Sequence, residues 1–387
     1  MLGSAVVIGT GLIGTSIALA LREQGVTVWL TDHDPAAARL AADLGAGKVL
    51  PEPLGAAAPD RGSPRTAASP GRRPQAQDGP WADLAVLAVP PAAVASSLAA
   101  AQARRLARWY TDVASVKALP LRQAGELGCD LACFVPGHPL SGRERSGPAA
   151  ARADLFLGRP WVICPGPQTT PEAIAAVAGL VRCCHGELVQ ADADEHDHWV
   201  ALVSHAPHLV AAAMAAQLTD APGGALGLAG QGLRDVTRVA AGDPGLWTQI
   251  LAANAAPVAR VLAGLAADLT AVAEALAETG APHPAERASV KLLAGLLEEG
   301  SAGVARIPGK RGTPLRDNAV VQVVIPDRPG ELARLFQVAG QSGVNIEDIG
   351  IEHSPGLPVG VAELTVRPDA VARLTQALAA AGWPVRR

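Results

Sequence analysis

The chain has 387 residues, of which 49% are hydrophobic and 18% charged, and its formal net charge is −4. At roughly 150 residues per domain, this length predicts two or three domains, while the negative charge disfavours a nucleic acid or an anionic membrane as partner. Five cysteines without a CxxC pair support neither a disulfide framework nor a zinc ribbon, and no uninterrupted apolar run reaches the ~18 residues of a membrane span.

The first predicted elements form a βαβ unit that opens with glycines. An apolar strand at 5–8 ends at Gly9, a helical pattern runs from Leu12 to about Gln24, and a second strand at 26–30 leads to Asp32. Because the first strand begins so early, no room is left for a signal peptide. The sequence therefore indicates a reduced, cytoplasmic protein.

The glycines have the G-x-G-x-x-G spacing of a dinucleotide-binding turn, in the strand–helix context that this pattern requires. Gly9 permits the tight turn, Gly11 lets a pyrophosphate approach, and Gly14 lets the helix pack on the strand. Asp32 would bind a ribose 2′-hydroxyl and repel a 2′-phosphate, which favours NAD over NADP. The predicted cofactor-binding residues are Gly9, Gly11, Leu12, Ile13, Gly14, Asp32, Val89 and Pro90.

The middle of the chain changes from strands to helices. Residues 55–80 lack periodicity and are rich in Gly, Ala, Pro, Arg and Ser, which predicts a flexible surface insertion. Further strands are predicted at 83–89, 109–112, 133–136 and 161–164, and Ala-rich helices at 171–183, 194–218, 244–278 and 284–299. Such a helical set is typical of a bundle or a dimer interface, and we expect it to form a homodimer.

The C-terminal residues alternate between strands and helices. The predicted order is a strand at 319–325, a helix at 330–341, strands at 344–353 and 359–366, a helix at 369–381 and a tail strand at 383–385, which is a ferredoxin-like unit. The predicted α/β architecture comprises a Rossmann-type dinucleotide-binding domain (1–168), an all-α substrate and dimerisation domain (169–302), a linker (303–317) and the ferredoxin-like domain (318–387).

Three polar clusters stand out in this Ala-rich chain. They are Thr111-Asp112-Val-Ala-Ser115-Val-Lys117, Gly137-His138-Pro139-Leu-Ser-Gly142-Arg-Glu144, and Ser204-His205-Ala-Pro-His208 with Arg234, Arg238 and Trp247 further on. From the residues alone, His138 could be a loop histidine and Arg238 a helix-surface charge. His205 and His208 could bind zinc. The side chains that could help them are Asp192, Asp194, Glu195, His196 and His198. A solvated helix N-terminus explains those acids, so no metal is predicted.

Together with the glycine motif, these clusters resemble the prephenate/arogenate dehydrogenase family of tyrosine biosynthesis over nearly the whole chain. The resemblance implies NAD-dependent oxidative decarboxylation of prephenate, in which a hydride leaves ring C4, the C4 hydroxyl loses its proton and the ring carboxylate departs as CO₂. It assigns His138 as the base and Ser115 as the residue that hydrogen-bonds either His138 or the hydroxyl and fixes the geometry. The substrate-binding residues that it implies are Arg238 for a carboxylate, His205, His208, Trp247, Glu144 and Lys117.

Three alternative functions stay open. Arogenate dehydrogenase acts on a substrate with an ammonium group, for which a nearby carboxylate is needed. Arg234, one turn before Arg238, has the wrong charge to bind an ammonium, and Asp235 should face about 100° away from it on the helix. The sequence therefore favours prephenate. The others are a dehydrogenase for a 4-amino analogue of prephenate and a redox-inactive NAD sensor.

The C-terminal tail resembles an ACT domain, a module that commonly binds amino acids. The resemblance depends on Asp327-Arg-Pro-Gly330-Glu-Leu and Gly343-Val-Asn345-Ile346. It implies an effector site at Asp327, Gly330, Asn345 and Ile346, with tyrosine, the end product of the pathway, as the expected effector. The alternative is a domain that only strengthens the dimer.

Overall fold

A computed structural model describes residues 2–51, 81–141, 147–278, 284–308, 318–353 and 358–386. The chain divides into two compact units, Met1–Gly264 and Leu265–Arg387, which are described separately below. The predicted insertion at 55–80, the predicted substrate residue Glu144 and residues 309–317 of the predicted linker lie outside the described residues.

The first unit contains a parallel sheet with the strand order of a dinucleotide-binding fold. Its strands are β1 (Ser4–Ile8), β2 (Thr27–Thr31), β3 (Lys48–Val49), β4 (Ala82–Leu87), β5 (Ala107–Asp112) and β6 (Phe134–Val135). Among the described residues the order is β3-β2-β1-β4-β5-β6, and every pair is parallel. The strand order reverses between β1 and β4, the position at which open α/β sheets bind ligands. The predicted Rossmann-type fold is confirmed.

Helices cover both faces of this sheet. They are α1 (Leu12–Glu23), α2 (Pro35–Asp43), α3 (Pro91–Ala103), α4 (Ala118–Glu126) and α5 (Pro171–Cys183). Adjacent strand residues enter separate cores: Val7 packs with Ile17 of α1, whereas Val6 packs with Val94 and Leu98 of α3. Because both faces are covered, the central strands are apolar at nearly every position instead of alternating.

A second, mixed sheet holds the histidine of the second polar cluster. It contains β7 (Gly137–Pro139), antiparallel to β8 (Pro160–Ile163), and β9 (Glu187–Gln190), parallel to β8. His138 lies opposite Val162 in the register, so it is a strand residue and not a loop residue. Two elements of the predicted helical region, α5 and β9, pack with the sheets of the first unit, and the purely helical stretch therefore begins after β9.

That stretch contains α6 (Ala193–Val200), a π turn (Ala201–His205), α7 (Ala206–Ala216), α8 (Gly223–Leu226), α9 (Gln231–Thr237), a 3₁₀ turn (Arg238–Ala241), α10 (Pro244–Ala253) and α11 (Ala255–Glu278). The predicted helix at 194–218 is thus interrupted by the π turn, and the one at 244–278 is interrupted at Asn254. By length and composition alone, two described segments, Ala193–Ala216 and Ala255–Ala277, could cross a membrane. The first of them carries buried polar residues of the site described below.

The second unit begins within α11, at Leu265, and then contains an antiparallel sheet with helices. Its elements are α12 (Pro284–Val304), β10 (Ala319–Pro326), α13 (Glu331–Gln341), β11 (Asp348–His353), β12 (Val359–Val366), α14 (Val371–Ala380) and β13 (Val385–Arg386). The described strands pair in the order β11-β12-β10-β13, which confirms the predicted ferredoxin-like arrangement. Two predicted bounds were wrong by more than two residues. β11 begins at Asp348 instead of 344, and α12 continues to Val304, beyond the predicted end at 299.

Candidate active site

The glycine turn joins β1 to α1 at the switch point of the parallel sheet. Gly9 has a φ of +97°, and a Cβ on it would lie 2.1 Å from the carbonyl oxygen of Ala88. A Cβ on Gly14 would lie 1.9 Å from the carbonyl oxygen of Gly9, so this glycine allows the helix to pack closely on the strand. A Cβ on Gly11 would meet no described atom within 4 Å. Open space therefore adjoins the N-terminus of α1, where a pyrophosphate would be held.

Four other predicted cofactor residues border the same turn. Leu12 and Ile13 form the first turn of α1, and both are half-buried. Val89 and Pro90 follow β4, and Pro90 is the N-cap of α3. The backbone therefore brings these residues to the carboxyl ends of β1 and β4, as a dinucleotide site requires.

Asp32 lies beyond the carboxyl end of β2, beside the glycine turn. Its Oδ2 accepts hydrogen bonds from the backbone N–H of Thr10 at 2.6 Å and from the Thr10 hydroxyl at 3.0 Å, and its Oδ1 accepts the N–H of Asp34 at 2.9 Å. Burial raises the pKa of Asp32, but these hydrogen bonds outweigh burial and bring the pKa below its usual value. A fixed negative charge thus stands next to the turn.

His138 is the first residue of a hydrogen-bonded chain of side chains. Its Nδ1 lies 2.9 Å from Nε2 of His196, and Nδ1 of His196 lies 2.8 Å from Oδ1 of Asp197. Burial holds the pKa of His138 well below its ordinary value, and the neighbouring His196, Lys117 and His205 lower it further. The imidazole is therefore neutral near neutral pH, which is the form that can accept a proton.

Lys117 is fully buried, and its ammonium forms an ion pair with the carboxylate of Asp112. The same ammonium donates a hydrogen bond to the carbonyl oxygen of Gly137 at 2.6 Å. This ammonium faces the protein interior, so the structure does not place Lys117 as the predicted substrate ligand; it fixes the backbone before His138. Ser115 lies half-buried in the loop between Asp112 and Lys117, and among the described contacts none joins it to His138.

His205 and His208 lie together against Trp247, as their predicted grouping requires. His208 stacks on the indole with 3.6 Å between ring centroids, and His205 meets it edge-on at 6.1 Å. The Nδ2 of Asn254 donates to the carbonyl oxygen of Asp197 at 2.8 Å and lies 3.0 Å from Nδ1 of His205. Because the amide nitrogen is a donor, this Nδ1 accepts, and Nε2 carries the proton of the neutral ring. Burial lowers the pKa of His205 to about 4.

The π turn at Ala201–His205 explains how these histidines reach one site. His196 and His205 are nine residues apart, and at about 100° per residue they would lie on opposite sides of a regular α-helix. A π turn contains about one extra residue, which rotates the helix that follows by about 100°. It precedes Pro207, which has no N–H for the helical ladder. His196, His205 and His208 are accordingly all buried.

Arg238 begins the 3₁₀ turn that packs against α7, and it is exposed, as is Arg234 on α9. The turn ends at Gly242, where a Cβ would lie 2.5 Å from Nε1 of Trp247 and 2.9 Å from Cε1 of His208. Only a glycine lets the backbone pass this close to the stacked rings. Arg238 therefore lies only a few residues along the chain from the glycine that contacts the rings of His208 and Trp247.

The sequence predicts no site role for Asp197, Asn254 or Gly242, and it presents His196 only as a possible zinc ligand. A usable signal existed for His196 and Asp197, because they are polar residues just before a largely apolar segment. Asn254 is likewise a polar residue between two Ala-rich helices. Within the described residues, no group of three or more His, Cys, Asp or Glu side chains is placed to bind a metal ion.

The predicted effector residues lie in the second unit. Asp327 and Asn345 are exposed, and Asn345 donates to Oε1 of Glu347 at 2.7 Å. Gly330 has a φ of +91° and is the N-cap of α13. Ile346 packs against the core of the sheet, so its side chain supports the fold at this position.

Comparison with known proteins gives consistent matches. Residues 73–190 match the prephenate dehydrogenase nucleotide-binding domain, and residues 192–287 match the prephenate dehydrogenase dimerization domain. NovF of Streptomyces niveus, a probable prephenate dehydrogenase, is 40% identical over 98% of this chain and 99% of its own length. A cyclohexadienyl dehydrogenase of Zymomonas mobilis is 31% identical over 70% of this chain and 87% of its own.

The fold is also that of a solved relative. The structure of prephenate dehydrogenase from Aquifex aeolicus, in complex with hydroxyphenyl propionate and NAD⁺, has a TM-score of 0.62 at 22% identity and covers 78% of this chain and 98% of its own. The two domain matches and the end-to-end relative show the same affiliation. The chain is an oxidoreductase that belongs to the prephenate dehydrogenase family.

Proposed function

We propose that this chain catalyses the NAD-dependent oxidative decarboxylation of prephenate to 4-hydroxyphenylpyruvate. The observation that carries the proposal is His138, a half-buried imidazole that its surroundings keep neutral, in the same unit as the dinucleotide turn. The relatives named for this reaction support it, since one of them matches the chain from end to end. The glycine turn and Asp32 support NAD as the cofactor.

The proton transfer is assigned to His138. NAD, when bound at the glycine turn, accepts the hydride from ring C4. As the hydride leaves, Nε2 of His138 takes the proton of the C4 hydroxyl, and the C–O bond becomes a carbonyl. The bond between C1 and the ring carboxylate then breaks, its electron pair enters the ring, and the oxygen regains the proton. Prephenate and NAD⁺ thus give 4-hydroxyphenylpyruvate, CO₂ and NADH without net proton release.

The remaining site residues are assigned to binding. The planar fork of Arg238 suits a carboxylate of the substrate, and Nε2–H of His205 can donate to a substrate oxygen. His208 and Trp247 form a stacked wall, and Ser115 is assigned to orientation of the hydroxyl or of His138. The role of Glu144 stays a prediction from the sequence.

Steady-state assays with the full chain test the reaction. Purified protein is incubated with NAD and either prephenate or arogenate, and the absorbance of the reduced cofactor is followed. We expect turnover with prephenate to be preferred, because the ammonium group of arogenate would need a nearby carboxylate. The carboxylate of Asp235 is exposed and accepts a hydrogen bond from Gln231 at 2.7 Å on the surface of α9. Preference for arogenate would change the substrate assignment, and no reduction with either substrate would overturn the proposal.

We further propose a homodimer formed through the helical stretch. In the apolar segment Ala255–Ala277, only 6% of an 18-residue apolar window is buried within the described chain, and Leu269 on the segment is 56% exposed. The match to a dimerization domain includes this segment, and a second copy would cover it. Light scattering at micromolar concentration should give the mass of a dimer.

The second unit is proposed to be an ACT-type regulatory domain that binds tyrosine. Its βαββαβ order and the left-handed Gly330 at the start of α13 support this assignment. Asn345 presents an amide with both donor and acceptor groups, as a zwitterionic ligand requires. None of the residues assigned to chemistry lies in this unit.

A further inference from the structure

We propose that Asp197 and His196 are positioning residues that fix the tautomer of His138, so that its Nε2 is unprotonated and can act as the base. This inference rests on the proposed function for its catalytic consequence. The arrangement itself is visible in the contacts of three side chains. His196 and Asp197 are adjacent on α6, and both are buried.

The direction of each hydrogen bond follows from Asp197. Its carboxylate accepts two backbone N–H groups at the N-terminus of α4, from Lys117 to Oδ1 at 2.8 Å and from Ala118 to Oδ2 at 2.9 Å. Both donors favour an ionised carboxylate, which can only accept. The Nδ1 of His196, 2.8 Å from Oδ1, must therefore donate.

For a neutral His196, the direction of the hydrogen bond to His138 is then determined. A neutral His196 that donates from Nδ1 has an unprotonated Nε2, which accepts from Nδ1 of His138 across 2.9 Å. His138 with a proton on Nδ1 has its lone pair on Nε2. The opposite tautomer would direct an N–H at the substrate hydroxyl and could not take its proton.

The same hydrogen-bonded chain of side chains stabilises the positive charge that develops on His138 during the reaction. When Nε2 of His138 takes the hydroxyl proton, the ring becomes cationic in a buried site. The hydrogen bond to His196, which Asp197 orients, then becomes charge-assisted and stronger. Asp197 also holds the start of α4, which follows the loop containing Ser115, so one carboxylate connects the base to the nucleotide-binding sheet.

Substitution of Asp197 by Asn tests the assignment in the full chain. An Asn can direct an N–H at Nδ1 of His196 and so reverse both tautomers, as a misoriented acceptor does in other relays. We expect kcat with prephenate to fall on the order of 10²–10⁴-fold, with KM for prephenate and NAD changed less than about threefold. Asp192→Asn is the matched control, because Asp192 caps the same helix through the N–H of Glu195 at 2.7 Å.

A spectroscopic measurement separates positioning from a merely structural role. Nitrogen-15 NMR of the histidine rings in the unliganded protein should show the Nδ1–H tautomer of His138 in the wild type and its loss in Asp197→Asn. His196→Gln retains an acceptor oxygen near the Nε2 position and should keep more activity than His196→Leu, with thermal unfolding used to confirm that each variant folds.

The outcomes are distinguishable from those of the proposed function. An Nε2–H tautomer of His138 in the wild type, or a folded Asp197→Asn variant with the wild-type kcat and tautomer, would overturn the inference. If the expected tautomers are observed but neither prephenate nor arogenate is oxidised, the positioning stands and only the proposed reaction fails.

Discussion

His138 and His205, both in the first unit, carry their protons on different ring nitrogens. The Nδ1 of His138 donates to His196, whereas the Nδ1 of His205 accepts from Asn254. The free Nε2 atoms therefore differ: one is a base and the other a donor. Two residues of the same type can thus take a proton and bind an oxygen at the same pH, because their buried partners differ.

Asp32 determines the cofactor preference at the residue scale. We expect kcat/KM to be higher with NAD than with NADP, because the ionised carboxylate beside Thr10 would repel a 2′-phosphate. Asp32→Ala combined with His33→Arg should shift the ratio toward NADP by more than about tenfold, whereas His33→Arg alone serves as control. Comparable kcat/KM values with the two cofactors in the wild type would contradict this role.

Arg238 is expected to bind a substrate carboxylate. Loss of a charge-assisted hydrogen bond of about 1.5–3 kcal/mol should raise KM for prephenate about 10–100-fold in Arg238→Gln. Arg234→Gln removes a charge that is also exposed, on the preceding helix, and should change KM little. If the two variants exchanged these effects, the carboxylate contact would belong to Arg234.

At the scale of elements, the π turn between α6 and α7 allows three buried histidines, His196, His205 and His208, to reach one site. Its presence could not be read from the sequence, because a regular helical period sets His196 and His205 on opposite sides. By contrast, α5 was predicted at its observed bounds, since Pro171 follows Thr170, whose side chain caps the helix by accepting the N–H of Ala173 at 3.3 Å.

The other differences have equally local causes. β7 and β9 have only three and four residues, too few to show a period. The substrate role predicted for Lys117 is not supported, because its ammonium is paired with Asp112 in the interior. That pairing could not be predicted, because it depends on the path of the loop between the two residues, which the sequence does not reveal. The glycine turn was predictable in detail, since each of its requirements applies to residues that are close in sequence.

These buried histidines give the fold a specific pH dependence. The pKa of His205 is about 4 in the folded chain and about 6.5 in the unfolded chain. Since the unfolded state then binds more protons, the free energy of unfolding should decrease as pH falls below about 6.5, with the full loss reached below about 4. Urea unfolding between these limits should show a smaller slope with pH in His205→Gln, and an unchanged slope would contradict the assignment.

At the scale of the whole molecule, the proposed effector site lies in a unit without assigned catalytic groups. We expect tyrosine to inhibit the full chain and Asn345→Ala to weaken that inhibition more than about tenfold in tyrosine concentration, while kcat without tyrosine stays the same. Gln341→Ala on α13 is the control. Equal inhibition of all three proteins would indicate competition in the active site and would remove the regulatory assignment.

The most direct test of the central claim measures three quantities in one reaction of the full chain: prephenate consumed, CO₂ released and NADH formed, for wild type and His138→Asn. We expect equal molar amounts for the wild type and a fall in kcat on the order of 10²–10⁴-fold for the variant, with NAD binding retained. A wild-type reaction without CO₂ or NADH, or a variant within tenfold of the wild-type kcat, would contradict it.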